Sequence, residues 1–334
     1  MSNSRIKSLI QVAISLGVAI WIFWLLYRDI EFSSLWYQVK SSNWIWISAS
    51  LAIAWLGFWI RGWRWSLLIQ DHQGIAVSPN RAYHAAMVGY LANMLVPRAG
   101  EIARCGVLSR TNGTSVGHLI GTVILERSID LFFLIGTICL AFILENQLFL
   151  SLVDNLIDLT VLIQKVAGNW HLFLGGIFVF VLFIYFLFQK FRHHGLIAKA
   201  QAFFRQLLGG IRTIQTLKNP WGFWVSSFVI WFFYYLTMLT VAMGIASTAN
   251  LTLSEVLLVM VMGSIGMVAP VQGGIGTFHA LVAYILIQFG VIESDAKIFA
   301  AIIHGTQVLL VLITGFASWI LMMKIPVWKK PETT

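Results

Sequence analysis

The feature that most constrains this chain is the length of its apolar stretches. An α-helix rises about 1.5 Å per residue, so a hydrocarbon core of about 30 Å takes about 20 residues to cross. The stretches at about 8–27, 43–60, 117–144, 172–189, 220–246 and 298–323 are each near or above that length. Only 10% of the residues are charged, against about 25% in a soluble domain. The 15 tryptophans suit a protein with two membrane–water interfaces. The expected fold is therefore all-α, a polytopic helical membrane protein, in one transmembrane domain over 1–334.

Several alternatives fall away. The formal charge of +9 belongs to an orientation argument and not to nucleic-acid binding. Cys105 and Cys139 have no CxxC neighbour, so neither a disulfide framework nor a zinc site is expected. The eight histidines show no metal-ligand spacing, and no cofactor motif is present. The N-terminus has Arg5 and Lys7 before an apolar run, as a signal peptide does. The run from Ser8 to Tyr27 is long enough to span, and no A-x-A pattern follows, so it reads as an uncleaved first span.

Two further regions are broken. Ala82 to Val96 is apolar, then Pro97 interrupts it and a charged arm runs to about Ser109. Leu253 to Ala269 is apolar, Pro270 interrupts it, and Gly274 to Ile292 is apolar again. Proline lacks a backbone donor and disfavours helix at the preceding residue, and glycine permits a tight turn. Pro97, Gly100 and Pro270 are the expected hairpin breaks. Irregular backbone at membrane depth is tolerated only beside protein or a water-filled cavity.

Positive charge orients the spans. Segment 190–219 holds Lys190, Arg192, Lys199, Arg205, Arg212 and Lys218 with no acid, and is expected in the cytoplasm. Segment 145–171 carries Glu145, Asp154 and Asp158 against Lys165, and is expected outside. Counting crossings puts both termini in the cytoplasm, with hairpin 80–115 entered from the cytoplasm and hairpin 253–292 from outside. The breaks share a Pro-x-x-Gly-x-Ile pattern, "VPRAGEI" and "APVQGGI", and a Gly-Thr pair follows each, at 121–122 and 305–306. This predicts an inverted-topology repeat of six full spans and two broken hairpins. The halves are about 5–144 and 172–323, with a site where the broken helices meet. Two unrelated Pro-Gly turns between ordinary spans are the plainer reading.

Four stretches carry a family resemblance. "RGWRWSLL" (61–68), "GYLANMLVPRAGEIARCGVLSR" (89–110), "GTVILERSIDL" (121–131) and "PVQGGIGTFHA" (270–280) resemble the transmembrane region of lysylphosphatidylglycerol synthases and its stand-alone relatives. The resemblance covers about 5 to 323. It implies the lipid-flippase half of those proteins, which moves a modified phospholipid across the membrane. The chain ends at Thr334, ten residues past Lys324, so the expectation is a stand-alone member without the aminoacyltransferase domain. Relatives often carry a carboxylate shortly after the second hairpin's glycines; here His279 stands there.

The charged residues each have a functional and a plainer reading. Arg61 and Arg64, three apart among Trp59, Trp63 and Trp65, suit phosphate oxygens at headgroup level, or form a positive-inside stop at the end of the second span. Arg98, Glu101 and Arg104 surround the first turn of the second hairpin arm. They bind an anionic headgroup or form an internal Arg–Glu network, with Glu101 also placed to cap the helix. Glu126, Arg127 and Asp130 interrupt the span at 117–144 as an intramembrane charge cluster, or pair structurally with Arg61 or Arg98. Gly273, Gly274 and Gly276 open a half-helix whose N–H groups suit a phosphate, or simply allow close helix packing. In the basic segment, Phe203, Phe204, Leu207, Leu208, Ile211 and Ile214 read as an amphipathic helix on the anionic inner leaflet.

The expected function is an integral membrane lipid transporter of the inner (cytoplasmic) membrane. Its expected partners are an anionic phospholipid or polyprenyl-phosphate lipid, and a homo-oligomer is possible. No catalytic residue, metal or cofactor is expected. The alternative is an accessory subunit of, or an enzyme in, polyprenyl-phosphate or phospholipid headgroup modification.

Overall fold

Proline and capping residues set most of the helix ends seen in the structure, a computed structural model. It describes residues 17, 21–28, 32–69, 77–96, 99–148, 214, 217–269 and 271–328. The described residues form helices α1 (Phe32–Ser41), α2 (Trp44–Ile69), α3 (Pro79–Leu95), α4 (Gly100–Asn112) and α5 (Val116–Leu144). After these come α6 (Pro220–Gly244), α7 (Leu253–Val268), a 3-10 turn (Gln272–Gly274), α8 (Thr277–Gln288) and α9 (Glu293–Lys324).

Each start has a local cause. The Ser78 hydroxyl accepts from the Arg81 N–H at the head of α3, where Pro79 loses no needed donor. Ser115 does the same for His118 at the head of α5. Thr252 and Glu255 form a reciprocal capping box on α7. The ends of α3 and α7 follow the proline rule. Val96 (φ −137°, ψ 120°) and Ala269 (φ −57°, ψ 141°) each precede a proline and are extended.

Length separates two kinds of helix. α2, α5, α6 and α9 have 26, 29, 25 and 32 residues and are apolar enough to cross a membrane. The 17 residues of α3 and the 16 of α7 reach about 24–26 Å, short of a core of about 30 Å. The expected spans at 8–27 and 172–189 lie largely or wholly outside the described residues. The same holds for segments 145–171 and 190–219 except at their edges. Ile214 of the expected amphipathic helix is described; it is buried in a cluster with Leu68, Ile129, Leu217 and Phe223.

Packing ties the helices of both hairpins to the long helices. α2 packs along α6, α3 against α2, α4 and α9, and α7 against α5, α6 and α8. One core cluster, including Val256, Leu258, Met260, Val282, Ile285 and Phe299, joins α7, α8 and α9. A second, including Trp65, Ala82, Cys105, Leu108 and Leu119, joins α2 to α5. The outer faces remain apolar and exposed, for example at Phe132 and Ile135 on α5 and Phe316 on α9.

Candidate functional site

One helix turn of α5 organises the site. Glu126 and Asp130 are four residues apart and share a face, and α2 presents Arg61 and Arg64 to that face. Arg61 Nη2 lies 3.1 Å from Glu126 Oε1 and 3.3 Å from Asp130 Oδ2. Arg64 Nη2 lies 2.7 Å from Asp130 Oδ1 and 3.4 Å from Glu126 Oε1. From α4, Arg104 Nη1 reaches Glu126 Oε2 at 3.1 Å. Glu126 is fully buried and thus serves three arginines. Burying a cation is costly unless it is paired and hydrogen-bonded; the pairing is met for all three arginines, while Arg61 Nε, Arg64 Nε and Arg104 Nε and Nη2 have no hydrogen-bond partner among the described residues.

Aromatic and hydroxyl groups complete the sheath. The Arg104 guanidinium lies 4.6 Å from the centre of the Trp65 ring, whose Nε1–H donates to Thr122. Arg61 donates to the Tyr234 hydroxyl and lies 5.8 Å from the Tyr90 ring centre. Arg64 donates to the Ser227 hydroxyl at 3.3 Å.

These contacts correct the expectation for Arg61 and Arg64. The helix does not end at these residues: α2 continues to Ile69, and both side chains are buried within its length. The carboxylates of α5 pair with the two cations inside the bundle. Glu101 does not act as a cap through its side chain either. The Gly100 N–H at the head of α4 takes the Asn93 carboxamide oxygen at 2.7 Å. The Glu101 carboxylate instead meets Arg127 at 3.4 Å. Gly100 has no room for a side chain, since a Cβ would sit 2.3 Å from the Gly89 carbonyl oxygen. Pro97, Arg98 and Pro270 lie outside the described residues.

Beside this network is a cavity of about 640 Å³ between the two hairpins. Arg61, Glu101, Arg127 and Asp130 line one part of it, and Gly273, Gly274 and His304 line another. Arg64, Arg104 and Glu126 do not reach it. The Arg127 side chain is 43% exposed, whereas those of Arg61, Arg64 and Arg104 are 8%, 0% and 4%. Among the described residues, four guanidinium groups thus meet three carboxylates, and the accessible one is Arg127.

Glycine backbone forms another part of the lining. Gly273 and Gly274 have φ of 56° and 75°, a region that disfavours any side chain. The Gly273 carbonyl accepts from His304 Nε2 at 2.8 Å. A carbonyl cannot donate, so Nε2 carries the hydrogen. Gly276 is not at the cavity, and its N–H donates to His279 Nδ1 at 3.3 Å. That N–H is therefore used within the turn. The His279 and His304 rings meet edge-to-face at 4.7 Å.

Tyr90, Asn93, Tyr234 and His304 belong to the site but carry no motif. His304 has a signal nonetheless, as an ionisable side chain within an apolar span. The tyrosines have none, since their hydroxyls do not break the apolar pattern of α3 or α6.

Comparison with known families now decides the affiliation. The family described as lysylphosphatidylglycerol synthase TM region matches residues 9–315. The chain belongs to that family. No curated protein and no solved structure matches it. The match spans both hairpins, the Arg–carboxylate network and the glycine turn. As a member of this family, the chain is a multi-pass membrane protein connected with lipid metabolism or transport.

Proposed function

We propose that this protein is a flippase-like transporter that moves an anionic lipid across the cytoplasmic membrane, with the headgroup passing through the cavity between the hairpins. The observation that carries the reading is Arg127. It is a half-exposed arginine at a cavity wall, beside a network with one more cation than anion among the described residues. A guanidinium fork matches phosphate oxygens. The buried Arg64 and Arg104 hold the wall, and Arg61 joins wall to cavity.

The reading includes an inverted-topology repeat. Its support is the order of helix lengths, 26, 17, 13 and 29 residues in α2–α5 and 25, 16, 12 and 32 in α6–α9. The packing of α3 on α9 is matched by that of α7 on α5, and α2 lies along α6. Alternating access would rock the two halves about the cavity. The termini are placed in the cytoplasm by the charge count, as is the basic segment 190–219.

The test is translocation in proteoliposomes, using phosphatidylglycerol and phosphatidylcholine with the same labelled chains. The anionic lipid should move faster. Arg127→Gln should slow it by about 10- to 150-fold, the factor for a charge-assisted hydrogen bond of about 1.5–3 kcal/mol. Equal rates for the two lipids and for the variant would refute the proposal.

A further inference from the structure

The three carboxylates of the network are not equivalent. Glu126 is fully buried and holds three arginines. The Asp130 side chain is 15% exposed and is shared by Arg61, Arg64 and Arg127. Glu101 is 34% exposed and meets only Arg127 among the described residues, at 3.4 Å. It is the weakest link, and it lies on the cavity wall with its partner.

We infer that Glu101 is a displaceable stand-in for the substrate's anion: its carboxylate holds Arg127 until a phosphate group takes the guanidinium over. The inference rests on the proposed transport reading and names how that site is regulated. Its physical basis is the difference between two pairings. A carboxylate–arginine pair with side chains 34% and 43% exposed has a smaller net value than a bidentate contact. A phosphate presents several acceptor oxygens to the same fork, and bidentate pairs are the stronger ones. The exchange therefore favours phosphate without unpairing a buried charge. Arg127 also keeps Asp130 near it, at 3.8 Å, throughout.

The exchange has a mechanical consequence. Glu101 sits in the first turn of α4, directly after the crowded Gly100. Three residues on, Arg104 remains tied to Glu126. Releasing Glu101 frees the head of α4 from α5 while the helix stays anchored one turn later. Occupancy of the site is thereby coupled to the start of the broken arm, where the Gly100 N–H bond to Asn93 still holds α4 to α3.

The test is a binding titration on the full-length protein in detergent, by calorimetry. Dihexanoyl phosphatidylglycerol and inorganic phosphate are the probes. The parent should bind the lipid, and Arg127→Gln should lose at least tenfold in affinity. Glu101→Gln removes the internal competitor and should bind about two- to fivefold tighter, the factor for a partly exposed ion pair. Glu101→Asp restores a carboxylate and should return affinity toward the parental value. Tightening by Glu101→Gln supports the exchange for whichever probe the parent binds. The lipid alone binding identifies a headgroup site, and inorganic phosphate binding equally well identifies a free-anion site. Parental or weaker binding by Glu101→Gln, with Arg127→Gln still defective, would overturn the exchange while leaving the transport reading intact. No binding by the parent, or no loss in Arg127→Gln, would overturn the transport reading itself and the exchange with it. If neither Glu101→Gln nor Glu101→Ala folds, Glu101 is a structural support and the exchange is wrong.

Discussion

The segments α2–α5 and α6–α9 are built from helices of nearly the same lengths in the same order, yet they present opposite chemistry to one cavity. The first brings charge: Arg61, Glu101, Arg127 and Asp130. The second brings glycine backbone and a neutral-capable imidazole: Gly273, Gly274 and His304. Similar helix lengths therefore do not dictate similar polar groups. In the first segment the polar groups are held by ion pairs that bury three arginines. In the second they are held by a carbonyl, an imidazole and positive-φ glycines. The difference has an energetic reading. Buried ion pairs fail badly when one partner is lost, whereas a single neutral hydrogen bond fails mildly.

The largest effect should follow from Glu126→Ala. It leaves Arg61, Arg64 and Arg104 without their shared partner, and breaking a buried pair costs about 3–5 kcal/mol. Unfolding in detergent should shift strongly to lower temperature or denaturant, with poor yield of folded protein. A variant as stable as the parent would show that the charged network does not hold α2, α4 and α5 together. His304→Leu should cost less, about 1–3 kcal/mol, because it orphans only the Gly273 carbonyl. A loss larger than that of Glu126→Ala would reverse the ranking of the two segments.

Gly274→Ala sharpens the comparison further. At φ 75° an L-residue costs about 1–2 kcal/mol, and the new Cβ would also meet Met267 Sδ. The smallest stability change, within about 1 kcal/mol, should come from Arg127→Gln, since its pairs are accessible. Its transport defect should nonetheless be large. A big stability loss in Arg127→Gln would move it from the substrate's side of the network to the structural side.

The sequence carried much of this arrangement. The apolar run lengths and the two prolines located the four long helices and both broken ones, because lipid and backbone hydrogen bonding leave few options. Glu126 and Asp130 stood out as charges in an apolar run. The partition of the arginines was not legible. Pairing of the α5 charges with Arg61 was one of the two readings the sequence offered, but local pattern did not reveal that Arg64 and Arg104 share the same carboxylates. Whether Arg127 or Arg104 faces the cavity depends on the rotation of α4 and α5 against each other, which tertiary packing fixes. Tyr90 and Tyr234 were silent because a tyrosine in an apolar helix reads as another aromatic. His304 was visible only as an isolated polar residue; its partner, the Gly273 carbonyl, has no side chain to signal it.

The central claim is that an anionic headgroup enters the cavity between the hairpins. Photo-cross-linking tests it most directly, using phosphatidylglycerol with a diazirine in the headgroup, reconstituted with the full-length protein and mapped by mass spectrometry. Adducts are expected on cavity residues such as Tyr90, Met94 and Met267, reduced by excess unlabelled lipid and by Arg127→Gln. Adducts confined to the exposed outer faces, for example Phe132 and Ile135 of α5 and Phe316 of α9, would contradict that claim.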